Sequence, residues 1–392
     1  MKQSFYLALK YLIFYKFRTI VLVISIGLIL YLPLGLQRLI TESEAQMLSR
    51  AEATPLIIGA KGSAIDLVIN TLYFEQDEIE PVKYQKVDEL NKLDLGYGIP
   101  ILSVFKARGF PIIGTDLDYF YFRNLVIQEG RNLLYVGECV LGSEVAKRLK
   151  LSVGDDLVSS PENFIDLAGV YPLKMKVVGV LNSANSADDM AVFTDLKTNW
   201  IIMGLGHGHQ DLQKINDPTL VLKRDSTQVT ASSKVFMFNK IDSDNLDSFH
   251  FHGDLADYPI TSILFVPKDI KSSTILRGRF EANELSEQIT VPSTVVKNLL
   301  ETIFRIKRIF NMVFILVGLA TLIIISLIVI LTLRLRKDEL FTMFTIGSSK
   351  NKTAEIVGFE LMTMVSLSIL ISLVLYTVTG FFIEDFIQQF II

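Results

Sequence analysis

Cysteine is nearly absent from this sequence: Cys139 stands alone among 392 residues, so no disulfide can close within the chain. In an oxidising compartment the fold must then rely on packing, or on a bound metal, in place of covalent staples. Histidine is scarce as well, with four copies. No G-x-x-x-x-G-K-[ST] phosphate loop occurs. The nearest approach, Gly59-Ala60-Lys61-Gly62-Ser63, lacks both the spacing and the closing Lys-Ser/Thr pair, so the chain has no ATP-hydrolysing motif of its own. The formal net charge is -4, and the absence of a basic cluster argues against nucleic acid as a partner.

Apolar length is what the chain has in quantity. Hydrophobic residues make up 50% of it and the mean hydropathy is +0.41. Three segments approach or exceed the roughly 20 apolar residues that a bilayer span needs: Thr19 to Leu36, Phe310 to Leu333, which has no charge, and Ile356 to Phe382, with Glu360 near its start. Basic residues precede the first segment, as in a signal peptide. Its apolar run is longer than a signal core, however, and no small-x-small cleavage site follows at Gln37-Arg38-Leu39-Ile40, so it reads as a retained anchor.

Lysine and arginine near span ends mark the cytoplasmic side. Lys2, Lys10, Lys16 and Arg18 precede the first span, and Arg334, Arg336, Lys337, Lys350 and Lys352 lie between the second and third. Arg38, Arg305, Lys307 and Arg308 oppose them. The expected organisation is a cytoplasmic segment 1–18, spans at 19–36, 309–333 and 356–382, an extracytoplasmic region 37–308, a cytoplasmic loop 334–355 and an outer tail 383–392. The large outer region is long enough for one or two folded domains.

Within it, Glu42 to Ala53 and Ser293 to Arg308 carry helical spacing and read as stalks. Between them lie β-rich runs bounded by Gly, Pro, Asn or Asp: Pro55 to Ile58, Gly98 to Phe105, Leu173 to Leu181, Val221-Leu222, Lys234 to Phe238 and Ser262 to Val266. Gly142 to Leu149 and Lys268 to Arg277 read as helices. The fold class expected is α+β for the outer region, on α-helical spans.

All four histidines fall in two copies of H-x-H-x-D: His207, His209 and Asp211, then His250, His252 and Asp254. In extended backbone alternate side chains share a face, so each triplet points one way. Imidazole and carboxylate donors suit Zn2+, with copper, nickel or iron as alternatives. Gly206, Gly208 and Gly253 add backbone freedom that a coordination loop can use. Solvated loop histidines at accidental spacing are the alternative; the lack of further histidines argues against a metallo-hydrolase, and no catalytic residue is assigned.

The loop between the second and third spans has a pattern of its own. Arg336 to Phe344 can form a short amphipathic helix, with Leu340, Met343 and Phe344 apolar, Lys337, Asp338 and Glu339 polar, and Gly347 as its stop. Such a helix fits a groove on a partner protein or the lipid headgroups. Glu360 either reaches the membrane interface or faces Lys350, Lys352 or a partner subunit.

Several stretches resemble the FtsX-like, or MacB-type, ABC transporter permeases. ECVLGSEVAKRLKLSVGDDL, Glu138 to Leu157, is similar to the family's helix, glycine and VGD turn, and KMKVVGVL, Lys174 to Leu181, resembles the strand that follows. GTDLDYFYFRNLVIQEGR, Gly114 to Arg131, resembles a segment ending in Gly-Arg. LFTMFTIGSSKNKTAEIVGFE, Leu340 to Glu360, is similar to the cytoplasmic motif, here Ile346-Gly347-Ser348-Ser349. PLIIGAKGSAIDLVINTLYF, Pro55 to Phe74, resembles a subgroup found as separate subunits. The resemblance implies an outer domain of the MacB periplasmic type and a homodimer in a bacterial inner membrane. It also implies a separate cytoplasmic ATPase dimer docked on the loop, with Arg336, Lys337, Leu340, Met343, Phe344, Gly347, Ser348, Lys350 and Glu360 as coupling residues. The family typically has four spans, whereas the ten residues after Phe382 are too few for another. With the histidines, the expectation is a permease that binds zinc or a similar divalent metal and deals with a periplasmic metal-binding or accessory protein. The alternatives are metal-independent lipoprotein release or peptide export, and a regulatory clamp on a cell-wall hydrolase.

Overall fold

The computed structural model describes residues 2–75, 79–159, 172–208, 221–224, 229–231, 239–242, 244–282 and 286–390. The strand expected at Lys234 to Phe238 lies outside these, as do His209 and Asp211. The chain divides into two compact units, one of residues 1–45 and 300–391, the other Gln46–Leu299.

The first unit is helical. Its elements are Lys2–Phe14, most of Lys16–Glu52 and of Pro292–Leu335, then Lys337–Thr345 and Lys350–Phe390. Among the described residues, Lys16–Glu52, Met312–Leu331 and Asn351–Phe382 are long and apolar enough to cross a membrane. Pro33 lies inside the first of these helices, a position that spans tolerate because neighbouring groups satisfy the displaced backbone. The Lys337–Thr345 helix ends as its sequence dictates. Gly347 takes φ +97°, its N–H donates to Phe344 O (3.0 Å), and the Ser348 N–H donates to Met343 O (3.0 Å). That double closure is a Schellman cap, which needs the left-handed conformation glycine adopts without steric penalty.

The second unit is α+β. Its sheet has ten strands among the described residues, and their order from one edge is Glu287–Thr290, Leu56–Ala60, Ser262–Pro267, Gly96–Ala107, Phe110–Thr115, Val192–Asp195, Glu138–Leu141, Lys174–Leu181 and Ile127–Gly130, with Asp156–Val158 paired onto Lys174–Leu181 off that path. The pairing is mixed: Phe110–Thr115 runs parallel to Val192–Asp195, and Glu138–Leu141 parallel to Lys174–Leu181. The expected helices appear as Ser143–Leu149 and Ile270–Ala282. Ala64–Tyr73, Gln85–Lys92, Leu117–Phe122 and Leu196–Ile202 are additional helices.

Among the described residues, two apolar clusters pack within the unit. One gathers Cys139, Leu141, Val145, Leu157, Met175, Val177 and Val192; the other gathers Leu56, Ile58, Leu90, Trp200, Ile260, Ile263 and Phe265. Burial of such side chains contributes about 1.5–3 kcal/mol each. The lone cysteine belongs to the first cluster and is free. Burial pushes its thiol well above the ordinary range, so Cys139 acts as a small core residue and not as a nucleophile.

Candidate functional site

His207 and His250 sit on a short ribbon outside the main sheet, with His252 just beyond it. Gly206–Gly208 pairs antiparallel with Phe249–Phe251, in the register Gly206↔Phe251, His207↔His250, Gly208↔Phe249. Strand alternation sends Phe249 and Phe251 to one side and His250 to the other. Both phenylalanines pack against the first apolar cluster, and Phe251 also packs against the second. The two strand glycines serve those rings. A Cβ on Gly206 would lie 2.6 Å from the Phe251 ring, and one on Gly208 the same distance from the Phe249 ring. Neither glycine has positive φ; in this segment that belongs to Gly253, at +89°. The sequence-based reading of Gly206 and Gly208 as sources of loop freedom is therefore corrected: they are flat seats for aromatic rings.

With the rings turned inward, three imidazoles gather on the outer side. Ring centroids are 4.8 Å apart for His207 and His250, 4.8 Å for His207 and His252, and 4.9 Å for His250 and His252. One ligand nitrogen from each lies within 4.8 Å of the other two. Tetrahedral zinc with Zn–N bonds of about 2.0–2.1 Å sets its nitrogens about 3.3 Å apart, so side-chain rotation of an ångström or so closes the set. His250 Nδ1 lies 3.2 Å from Ser248 O. A carbonyl only accepts, so Nδ1 is the donor, the arrangement in which a metal-bound histidine is oriented by its other ring nitrogen and coordinates through Nε2. His252 is fixed by its backbone. Its N–H donates to Leu205 O (3.3 Å), and the Tyr258 hydroxyl is shared between the carbonyls of His252 (2.8 Å) and Leu205 (2.9 Å).

Asp254, expected on the same face, does something else. Its carboxylate accepts from Ala256 N–H (2.9 Å) and caps the short helix Leu255–Asp257. The positive φ at Gly253 ends the extended backbone, so the two-residue alternation that aligns His250 with His252 does not reach Asp254.

The loop site is built around Arg336. Its Nη1 lies 2.7 and 3.0 Å from the two carboxylate oxygens of Glu360, its Nε lies 3.2 Å from Glu339, and its guanidinium stacks 3.5 Å from the Tyr11 ring centroid. Arg336 and Glu360 are both buried. The sequence-based pairing of Glu360 with Lys350 or Lys352 is corrected on this point: Lys352 pairs with Glu355 at 2.8 Å, one helical turn away on its own helix. Lys337 is exposed and Met343 half-buried. The side chains of Leu340 and Lys350 lie outside the described set. Phe341, Phe344 and Ile346 are 65%, 52% and 82% exposed, an apolar edge of which sequence reasoning identified only Phe344.

A third cluster went unread in the sequence. Arg50 is buried at the end of the Lys16–Glu52 helix and grips Asp188 with two nitrogens, Nη1–Oδ2 2.6 Å and Nη2–Oδ1 3.0 Å. It also donates to Tyr119 Oη (3.0 Å) and to Leu72 O, while the Tyr119 hydroxyl donates to Asp188 Oδ1 (2.6 Å). Burial alone would raise the Asp188 carboxyl; the charge and hydrogen bonds of Arg50 outweigh it and hold the group down at about 2. Burial and the Asp188 charge push the Tyr119 hydroxyl up. Nearby, Arg123 donates to Thr54 Oγ1 (2.9 Å), and its own pKa is lowered by burial and by the Arg50 charge.

Residues 31–234 match the model of the MacB-like periplasmic core domain. None of the curated proteins matches the chain at a significant level. Solved structures similar to it include the periplasmic region of MacB from Actinobacillus actinomycetemcomitans, at 14% identity and TM-score 0.36, covering 64% of this chain and 94% of that one. The extracellular domain of the noncanonic ABC-type transporter YknZ from Gram-positive bacteria stands at 9% and 0.32, covering 60% and 98%. A domain of a putative permease protein from Porphyromonas gingivalis stands at 9% and 0.26, covering 60% and 86%. Because the sequence match takes in just over half of the chain, the protein belongs to the MacB-like periplasmic core domain family, that of the FtsX-like, MacB-type ABC transporter permeases.

Proposed function

We propose that this chain is the membrane subunit of a MacB-type ABC system in a bacterial inner membrane, working as a homodimer with a separate cytoplasmic ATPase dimer. The observation that carries the reading is the combination, in one chain, of a MacB-like core domain, three apolar helices of spanning length and no phosphate loop. ATP-driven closure of the partner acts on the Lys337–Thr345 helix, whose exposed Phe341, Phe344 and Ile346 suit an apolar groove, and passes through the spans to the outer domain. That domain binds zinc or a similar divalent metal, for metal acquisition or for exchange with a periplasmic metal-binding protein. The three grouped imidazoles support this part.

Two measurements test the two parts. In the complex reconstituted in nanodiscs, Gly347→Pro should lower partner-stimulated ATP hydrolysis by about tenfold, because a ring held near φ −65° cannot adopt the cap; undiminished coupling counts against docking at this loop. Removing a residue that merely orients a metal ligand costs about 10–100-fold in affinity, so His207→Ala or His250→Ala should weaken zinc binding at least ~100-fold. Wild-type protein without stoichiometric zinc affinity would leave the metal-independent export reading in its place.

A further inference from the structure

We infer that a divalent transition metal on His207, His250 and His252 is a clasp that locks the 206–208/249–251 ribbon, and through it the two rings that tie the ribbon to the domain's apolar clusters. This rests on the metal reading above and gives the metal a regulatory role at that same site. The ligand class follows from the donors. Three imidazoles and no carboxylate, among the described residues, suit Zn2+, Ni2+, Co2+ or Cu2+, whereas Mg2+ and Ca2+ require oxygen. Among the described residues three protein ligands are grouped, which leaves the fourth tetrahedral position to a further donor or to water.

The coupling follows from the two faces of the ribbon. Each strand has three residues, too few for a two-stranded ribbon to hold itself together in water. Drawing nitrogens from as far as 4.8 Å to about 3.3 Å ties His207 on one strand to His250 and His252 on and beside the other. On the reverse face, Phe251 and Phe249 lie across Gly206 and Gly208 with no space for a Cβ, so strand pairing and ring placement change together. Phe251 touches both clusters. A ligand that favours the closed ribbon is itself bound more tightly when the ribbon is closed.

The test uses the full-length protein in nanodiscs with zinc ion alone as probe, read by hydrogen exchange and by competition titration. Zinc should slow exchange in segments 204–208 and 249–253 by about tenfold or more, and an equal concentration of magnesium should not. Gly206→Ala, which keeps all three histidines, should weaken zinc binding by about tenfold by lifting the Phe251 ring; Phe251→Leu, which adds no volume, should weaken it in the same direction. Zinc that binds the wild type without slowing exchange in those segments, or equally tight binding by both variants, overturns the clasp and leaves the metal site standing. Equal protection by magnesium overturns the imidazole ligand set. Failure of zinc to bind the wild type overturns the metal reading and the clasp together.

Discussion

Arg50→Ala is expected to lower the unfolding free energy of the Gln46–Leu299 unit by about 3–5 kcal/mol, the cost of leaving a buried carboxylate without its partner. Asp188 loses both nitrogens of its guanidinium clamp, and the carbonyl of Leu72 loses a donor. Arg123 still acts electrostatically on Asp188, which favours the lower end of that range. Arg50→Lys should recover little, since an ammonium cannot reproduce the two-pronged geometry. The sign of the pH dependence follows from the depressed carboxyl of Asp188. Its stabilising contribution is present above the unfolded value near 4 and is lost as pH falls through about 2. The gap between wild type and Arg50→Ala should therefore be widest near neutrality and shrink below about pH 4. Urea titrations of the two proteins across that range measure it. A gap under about 1 kcal/mol at pH 7 would mean that Asp188 does not depend on Arg50.

The second large effect is expected at Arg336 and Glu360. Replacing Arg336 strands Glu360 as a buried charge, again about 3–5 kcal/mol, in the helical unit of residues 1–45 and 300–391, while replacing Glu360 costs less because Arg336 keeps Glu339 at 3.2 Å. Arg336 is the single residue between Pro292–Leu335 and Lys337–Thr345, so the loss falls on the loop proposed to receive the ATPase. Glu360→Ala should reduce partner-stimulated ATP hydrolysis about tenfold or more and leave the basal rate of the ATPase alone unchanged. The exchanged pair Arg336→Glu with Glu360→Arg should restore part of it. Stimulation that survives Glu360→Ala would assign the pair to helix packing and nothing more.

Legibility in the sequence tracked the range of the interaction. Leu173 to Leu181 alternates and is rich in valine, and the strand runs Lys174–Leu181; Gly347 stops its helix by a cap that involves only neighbours. The shared face of His250 and His252 also followed from strand geometry. Asp254 did not, because one residue with positive φ intervenes. Leu196–Ile202 was missed; its local signal was Asp195 at the N-cap, whose side chain accepts from Thr198 N–H at 3.0 Å. The role of Gly206 and Gly208 needs the rings of Phe251 and Phe249 from a distant strand, and Arg50 meets Asp188 across 138 positions. Nothing local marks such pairings. Glu360 had nearer lysines in sequence, yet the helices bring Arg336 to it from 24 positions away.

The first and last strands of the sheet in the Gln46–Leu299 unit have a mechanical consequence. Leu56–Ala60 follows the Lys16–Glu52 helix, Glu287–Thr290 precedes Pro292–Leu335, and the two strands pair antiparallel with Ile57 opposite Thr290. Lys297 and Glu52, 2.9 Å apart, join the adjoining helical turns. A pull that spreads those turns therefore loads the hydrogen bonds of this edge one after another, as a zipper opens, and not all at once as in shear. Chain entry and exit thus share one seam at the edge of the sheet, with the eight other strands of the described sheet behind it.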